Sequence, residues 1–208
     1  MSWPGRVRRD TSEASKAAAL DDPAAAPVER SSPGLAALFD ALTQDGRHSV
    51  LDLGLAGDRH LGVLSRFARQ IRFAGFIPHP PEGDAWTSAL EALPPNACRP
   101  YDVVLAWDIL DRIDPPQRAG LVERLVALTA PDARLYAVVD ASGAATTRPL
   151  RSTLTGVNRV SVLPVGPPKP ARTPLLPAPL ERVLAPFAVT QAFTLRTGLR
   201  EYVAVKRS

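Results

Sequence analysis

From Ser32 onward, short apolar runs alternate with stretches of helical spacing. Ser32 followed by Pro33 reads as an N-cap and a first-turn proline, and Leu35, Leu38, Phe39 and Leu42 then recur on one helical face. Asp45-Gly46 ends that helix. "SVLDLG" reads as a buried strand. Leu61, Leu64 and Ala68 share a helical face with Val63 and Phe67 beside it, and "IRFAGFI" is a second strand. "HPPEGD" is a loop and "AWTSALEAL" a short helix. "YDVVLAW" is the clearest strand of the chain. Asp114, Pro115 and Gln117 carry the signature of a capped helix start, with a capping-box partner at the third position. Leu121, Leu125 and Leu128 form the apolar stripe behind it, and "ARLYAVVDA" is the next strand.

Alternation of strand and helix from Ser49 to Ala141 predicts parallel strands joined by helical crossovers, the doubly wound Rossmann-like class. The last third differs. Pro164 to Pro179, "PVGPPKPARTPLLPAP", is too rich in proline for a sheet interior. Its "PPKPAR" matches a proline-recognition string but reads better as an ordered crossing loop. "LERVLAPF" is a short helix. "VTQAFTLRTGLREYVAVKR" is two strands around Thr197-Gly198, a C-terminal antiparallel hairpin. Met1 to Ser31 shows no sustained period and is rich in Ala, Ser, Pro and charge. The expected division is a disordered tail over 1–31 and one α/β domain over 32–208.

Composition narrows the chemistry. The 208 residues suit one sizeable core, and 25 basic against 21 acidic residues leave a net charge of only +4. That balance admits an anionic ligand and makes nucleic acid an improbable partner. Cys98 is the sole cysteine, so an internal disulfide cannot form and a reducing, cytoplasmic setting is expected. No apolar run reaches the roughly 20 residues of a membrane helix, and the N-terminus lacks a signal-peptide core. His48, His60 and His79 have no metal-ligand spacing, so no metal site is expected.

"VLDLGLAGDRHLGVLSRFARQIRFAGF" resembles the first motif of class I S-adenosylmethionine-dependent methyltransferases. "YDVVLAWDILDRIDPPQRAGLVERLVALTAPDARLYAVVDA" resembles their fourth- and fifth-strand region, and "FTLRTGLREYVAVKR" their terminal antiparallel pair. The likeness spans roughly Ser32 to Arg207. It implies a seven-stranded, mostly parallel sheet with helices on both faces. It also implies S-adenosylmethionine across the carboxyl ends of the first strands, where open α/β sheets bind ligands. On that resemblance Asp52 takes the acidic first-motif position and Gly54 its first glycine. Ala56, Gly57 and Trp107 complete the cofactor contacts, and Asp108 is the catalytic candidate at the fourth-strand end.

The chain departs from the family pattern twice. Where a later glycine is usual, it has Asp58, with Gly57 one place earlier; Asp58 can also cap the helix that follows. The acid that usually closes the second strand and holds the ribose falls near Gly75, and no acid lies between Ile71 and Pro81. Losing such a charged hydrogen bond costs about 1.5–3 kcal/mol, roughly ten- to a hundredfold in affinity. Two functions stay open. One is methyl transfer to a small-molecule or protein acceptor with a weakly held cofactor. The other is a non-catalytic binding or scaffold role on the same fold, with the cofactor site degenerate. The sequence names neither the acceptor nor the oligomeric state.

Overall fold

The computed structural model describes residues 26–77, 79–93, 99–142, 146–167, 169–170 and 175–207. Strand β1 (Val28–Ser31) and helix α1 (Pro33–Asp40) precede β2 (His48–Asp52), α2 (Asp58–Leu64), β3 (Ala68–Phe73), α3 (Asp84–Glu91) and β4 (Tyr101–Trp107). The short helix α4 (Ile109–Arg112), α5 (Pro115–Leu128) and β5 (Thr129–Asp140) follow. Then come β6 (Thr146–Thr147), β7 (Leu150–Gly156), β8 (Arg159–Pro164), β9 (Lys169–Pro170), α6 (Pro177–Val183), β10 (Phe187–Thr194) and β11 (Leu199–Lys206).

Six strands form the main sheet in the order β10-β11-β5-β4-β2-β3. β3, β2, β4 and β5 run parallel, as their apolar runs predict, with Val50 level with both Ile71 and Val103. β4 is central, and every residue in it except Asp102 is buried, which is why its sequence shows no alternation. Asp102 at its edge accepts from the Ser49 N–H at 2.7 Å. Local signals placed the helices well. The Ser32 hydroxyl accepts from the Leu35 N–H at 3.2 Å, and the Gln117 side chain accepts from the Asp114 N–H at 2.8 Å. Leu121, Leu125 and Leu128 are buried.

Four expectations need correction. The sheet has six strands instead of seven, because among the described residues only α3 lies between β3 and β4. The C-terminal hairpin, expected to add an antiparallel edge to the sheet, does form, but its antiparallel strand is not the edge. β11 inserts between β5 and β10 and pairs antiparallel with both, so the outer β10 runs with the parallel set. Asp58 does not cap α2: Gly57 is the N-cap and Asp58 sits in the first turn, where its charge suits the helix dipole. The tail does not run to Ser31. Val28–Ser31 pairs with β8 in the register Val28↔Val162 to Ser31↔Arg159. Residues 1–25 lie outside the described residues.

Strand β1 is held by charge as well as by its ladder. Arg30 Nη1 lies 2.7 Å from Glu201 Oε1, and Glu201, fully buried on β11, also accepts from the Gly34 N–H at 2.8 Å. A Cβ at Gly34 would stand 2.9 Å from Glu201 Cβ and 3.0 Å from the Tyr136 ring, so only glycine lets the start of α1 come this close. The partners of Glu201 are more than 160 residues away in sequence, which hides the pairing from any local pattern. β1, β8 and β7 form a small antiparallel sheet of their own, and β7 packs on α2. No strand was expected between Ala141 and Pro164, although Arg151 to Thr155 and Arg159 to Leu163 suit strands around a Gly156–Asn158 turn.

Candidate functional site

The carboxyl ends of β2, β3 and β4 come level, with Asp52 opposite Phe73 and Leu105. Asp52 therefore stands where the resemblance put it, at the end of β2 below the turn into α2. It is completely buried. Its Oδ1 accepts from the Gly54 N–H at 2.6 Å and from the Trp107 indole Nε1–H at 2.7 Å. Its Oδ2 lies 2.7 Å from His60 Nε2, although the two do not line up as a hydrogen bond. An ionised carboxylate cut off from water needs such donors, because burying one alone costs several kcal/mol.

Trp107 reaches Asp52 by leaving the sheet conformation. Its φ is +52°, a left-handed value that a bulky residue adopts at a cost on the order of 1–3 kcal/mol. The indole is buried, edge-on to the His60 ring at 5.6 Å and to Tyr136 at 5.7 Å. His60, also buried, meets Phe73 edge-on at 5.7 Å. One continuous cluster thus runs from Phe73 on β3 through His60 and Trp107 to Tyr136 on β5. There the Tyr136 hydroxyl meets Ser32 Oγ at 3.2 Å. Burial, then the charge of Glu201, push the Tyr136 phenol up, so it stays protonated.

Gly54 does not open onto empty space. A Cβ built there would stand 2.9 Å from Asp52 Oδ1 and 3.2 Å from Trp107 Nε1. The close approach that this glycine permits is made by the chain's own carboxylate and indole. Ala56 is exposed and Gly57 half-exposed in the turn above, away from the buried cluster. Gly75 follows β3 with φ +70°, a conformation glycine adopts freely and an aspartate only under strain. Its N–H donates to the Gly54 carbonyl at 3.1 Å, while the Phe76 and Ile77 N–H groups reach the Leu53 carbonyl at 2.9 and 3.2 Å. The two strand-end loops are therefore stitched together backbone to backbone.

Asp108 begins α4 and is ion-paired with Arg112. The carboxylate beside it, Asp111, went unremarked in the sequence. Its Oδ2 accepts from the Asp140 N–H at 2.5 Å, tying α4 to the end of β5. Burial first, and the charges of Asp108 and Asp140 with it, raise Asp111 from 3.8 to about 7, against the Asp140 N–H and Arg118, which lower it. The native state thus keeps a proton on Asp111 that the unfolded chain loses near pH 4. The stability this contributes is full below about pH 4 and is lost as pH rises to about 7. Asp111→Asn retains an acceptor for the Asp140 N–H. Urea midpoints are expected to fall from pH 4 to 7 in the parent relative to the variant, leaving the variant the more stable above pH 7. Parallel midpoint curves would refute the assignment.

The sequence singled out Asp52, Gly54 and Trp107, and the structure brings these three together. It leaves Ala56 and Gly57 outside the cluster and gives Asp108 a structural partner. His60 was set aside as a scattered histidine. The available signal was its place on the buried side of α2, one turn from Leu64. Among the described residues no group of three acidic, histidine or cysteine side chains is arranged to hold a metal ion. No helix among them is long and apolar enough to cross a membrane.

No protein-family model and no curated protein sequence matches the chain. Solved structures do match. A putative S-adenosylmethionine-dependent methyltransferase from Listeria monocytogenes superposes at a TM-score of 0.50 and 13% identity, over 85% of this chain and 99% of that one. A TehB-like methyltransferase from Corynebacterium glutamicum gives 0.49 at 13% identity, over 84% and 88%. A glycopeptide N-methyltransferase solved with S-adenosylhomocysteine gives 0.46 at 16% identity, over 97% and 100%. At such identities the likeness bears on architecture alone, and on it the chain has the class I methyltransferase fold.

Proposed function

We propose that this chain is a binding or scaffold protein built on the class I methyltransferase fold, with its cofactor crevice filled from within. One observation carries the reading. The space a Cβ at Gly54 would need is taken by the Asp52 carboxylate and the Trp107 indole, which are hydrogen-bonded to each other. The residues present do not fit S-adenosylmethionine. The ribose has no carboxylate near Gly75, whose positive φ also disfavours one. A ligand that displaced the buried Trp107 indole would leave Asp52 without that donor. A cytoplasmic setting suits a lone cysteine.

A second reading is methyl transfer to a small-molecule or protein acceptor. It draws on Asp52 and Gly54 at the matched positions and on Asp111, held protonated up to about pH 7 beside Asp108 at the end of β4. Calorimetric titration with S-adenosylmethionine and S-adenosylhomocysteine separates the two. The scaffold reading expects no saturable heat at up to millimolar ligand. Micromolar binding by the unmutated chain would restore the enzyme.

A further inference from the structure

Strand β3 ends the main sheet. It pairs with β2 alone, and among the described residues no strand lies on its other side. The resemblance implies seven strands where the described residues form six, and the six end at β3. A sheet edge leaves a row of backbone N–H and C=O groups ready to pair with another extended chain. From Gln70 to Phe73 the ladder to β2 is regular, after one irregular step between His48 and Ser49. Ile71 and Phe73 stay half-buried against the core.

The charge along this edge is one-sided. Arg69 and Arg72 are both exposed, and neither joins an ion pair among the described residues. Arg66, just before the strand, is exposed too, bonded only to the neutral Gln44 side chain and stacked near the Phe67 ring. Within Arg66 to Phe73 no acid offsets them. Pairing with β3 of a second copy would align both sets of arginines along one short seam, and like charges across a strand pair are destabilising. A glutamate on an incoming strand would instead offer each arginine an opposite charge.

Resting on the scaffold reading, we propose that the free edge of β3 is a strand-addition site for an acidic, extended peptide segment of a partner protein. Backbone hydrogen bonds supply the pairing and Arg69 and Arg72 supply the selection, as in other cases of sheet-edge recognition. The test uses the full chain and two labelled peptides, Glu-Val-Glu-Val-Glu-Val and its lysine counterpart. Saturable binding of the glutamate peptide is expected, with increased amide protection confined to residues 68–73. The double variant Arg69→Glu/Arg72→Glu should weaken that peptide about tenfold or more and should gain affinity for the lysine peptide, like charges being costly at an interface. That gain guards against a variant that has merely unfolded.

Equal binding of the glutamate peptide by both proteins, or no binding at all, would overturn the proposal. So would protection arising away from β3. Arginine-dependent binding of an oligonucleotide in place of the peptide, without protection of β3 amides, would assign the arginines to phosphate and overturn it as well. Cofactor titration of the same samples is independent of these results. Peptide binding together with cofactor binding would retain the edge site and remove only the scaffold reading.

Discussion

Asp52→Ala is expected to cost about 3–5 kcal/mol of unfolding free energy, because it strands two buried N–H donors at about 1–3 kcal/mol each. Among the described residues the carboxylate is the only aligned acceptor for the Gly54 N–H and the Trp107 indole N–H, and His60 packs against its second oxygen. For a chain of this size that loss lowers the thermal midpoint by about 6–20 °C. A cofactor-binding carboxylate facing an open crevice would behave differently, because its removal would abolish ligand binding and leave the midpoint nearly unchanged. Trp107→Phe should cost less, about 1.5–3 kcal/mol for a lost hydrogen bond to a charged group. The two together should fall short of their sum, with a coupling of about 1–3 kcal/mol. Additive midpoints in that double-mutant cycle would mean the indole and the carboxylate do not depend on each other.

Glu201→Ala carries an expected loss of similar size, about 3–5 kcal/mol. Glu201 is fully buried, and its removal strands both Arg30 and the Gly34 N–H. The loss should be uneven across the molecule. Amides of Val28 to Ser31 should lose protection from hydrogen exchange well before those of β4, because the Arg30 contact is what adds to the short β1 ladder. Arg30→Met leaves the carboxylate buried without its cation and should expose the same strand. Unchanged exchange at β1 in both variants would show that its ladder with β8 suffices.

What was legible in the sequence was local. β4 declared itself because a strand covered on both faces is a continuous apolar run. The start of α5 was readable because Asp114, Pro115 and Gln117 write their cap within four residues. The β10–β11 hairpin was readable from its Thr197-Gly198 turn. Its order in the sheet was not, since nothing local tells β11 to enter between β5 and β10. β1 was hidden because its polar residues are explained only by Glu201 and β8. That the sheet has six strands among the described residues is likewise a matter of tertiary pairing, which no run of residues displays.

The site divides in the same way. Asp52 and Gly54 were found by motif, and the absence of an acid near Gly75 was plain. The motif does not display that a Cβ at Gly54 would meet the Asp52 carboxylate and the Trp107 indole. Trp107 is 55 residues from Asp52, and its positive φ, which carries the indole to the carboxylate, leaves no mark on the sequence. His60 joins them from α2. A motif identifies the position of a loop, whereas the side chains that pack around Asp52 come from other strands and helices.

The central claim is that the Trp107 indole occupies the crevice in place of a cofactor, and its Nε1–H resonance reports on this directly. The chain has three tryptophans, so Trp107→Phe assigns the signal by its loss from the nitrogen–proton spectrum. A proton held by a buried carboxylate should be slow to exchange with solvent and should stay in place when S-adenosylhomocysteine is added to millimolar concentration. A Trp107 signal that exchanges freely, or that shifts saturably at micromolar ligand, would contradict the account and return the crevice to the cofactor.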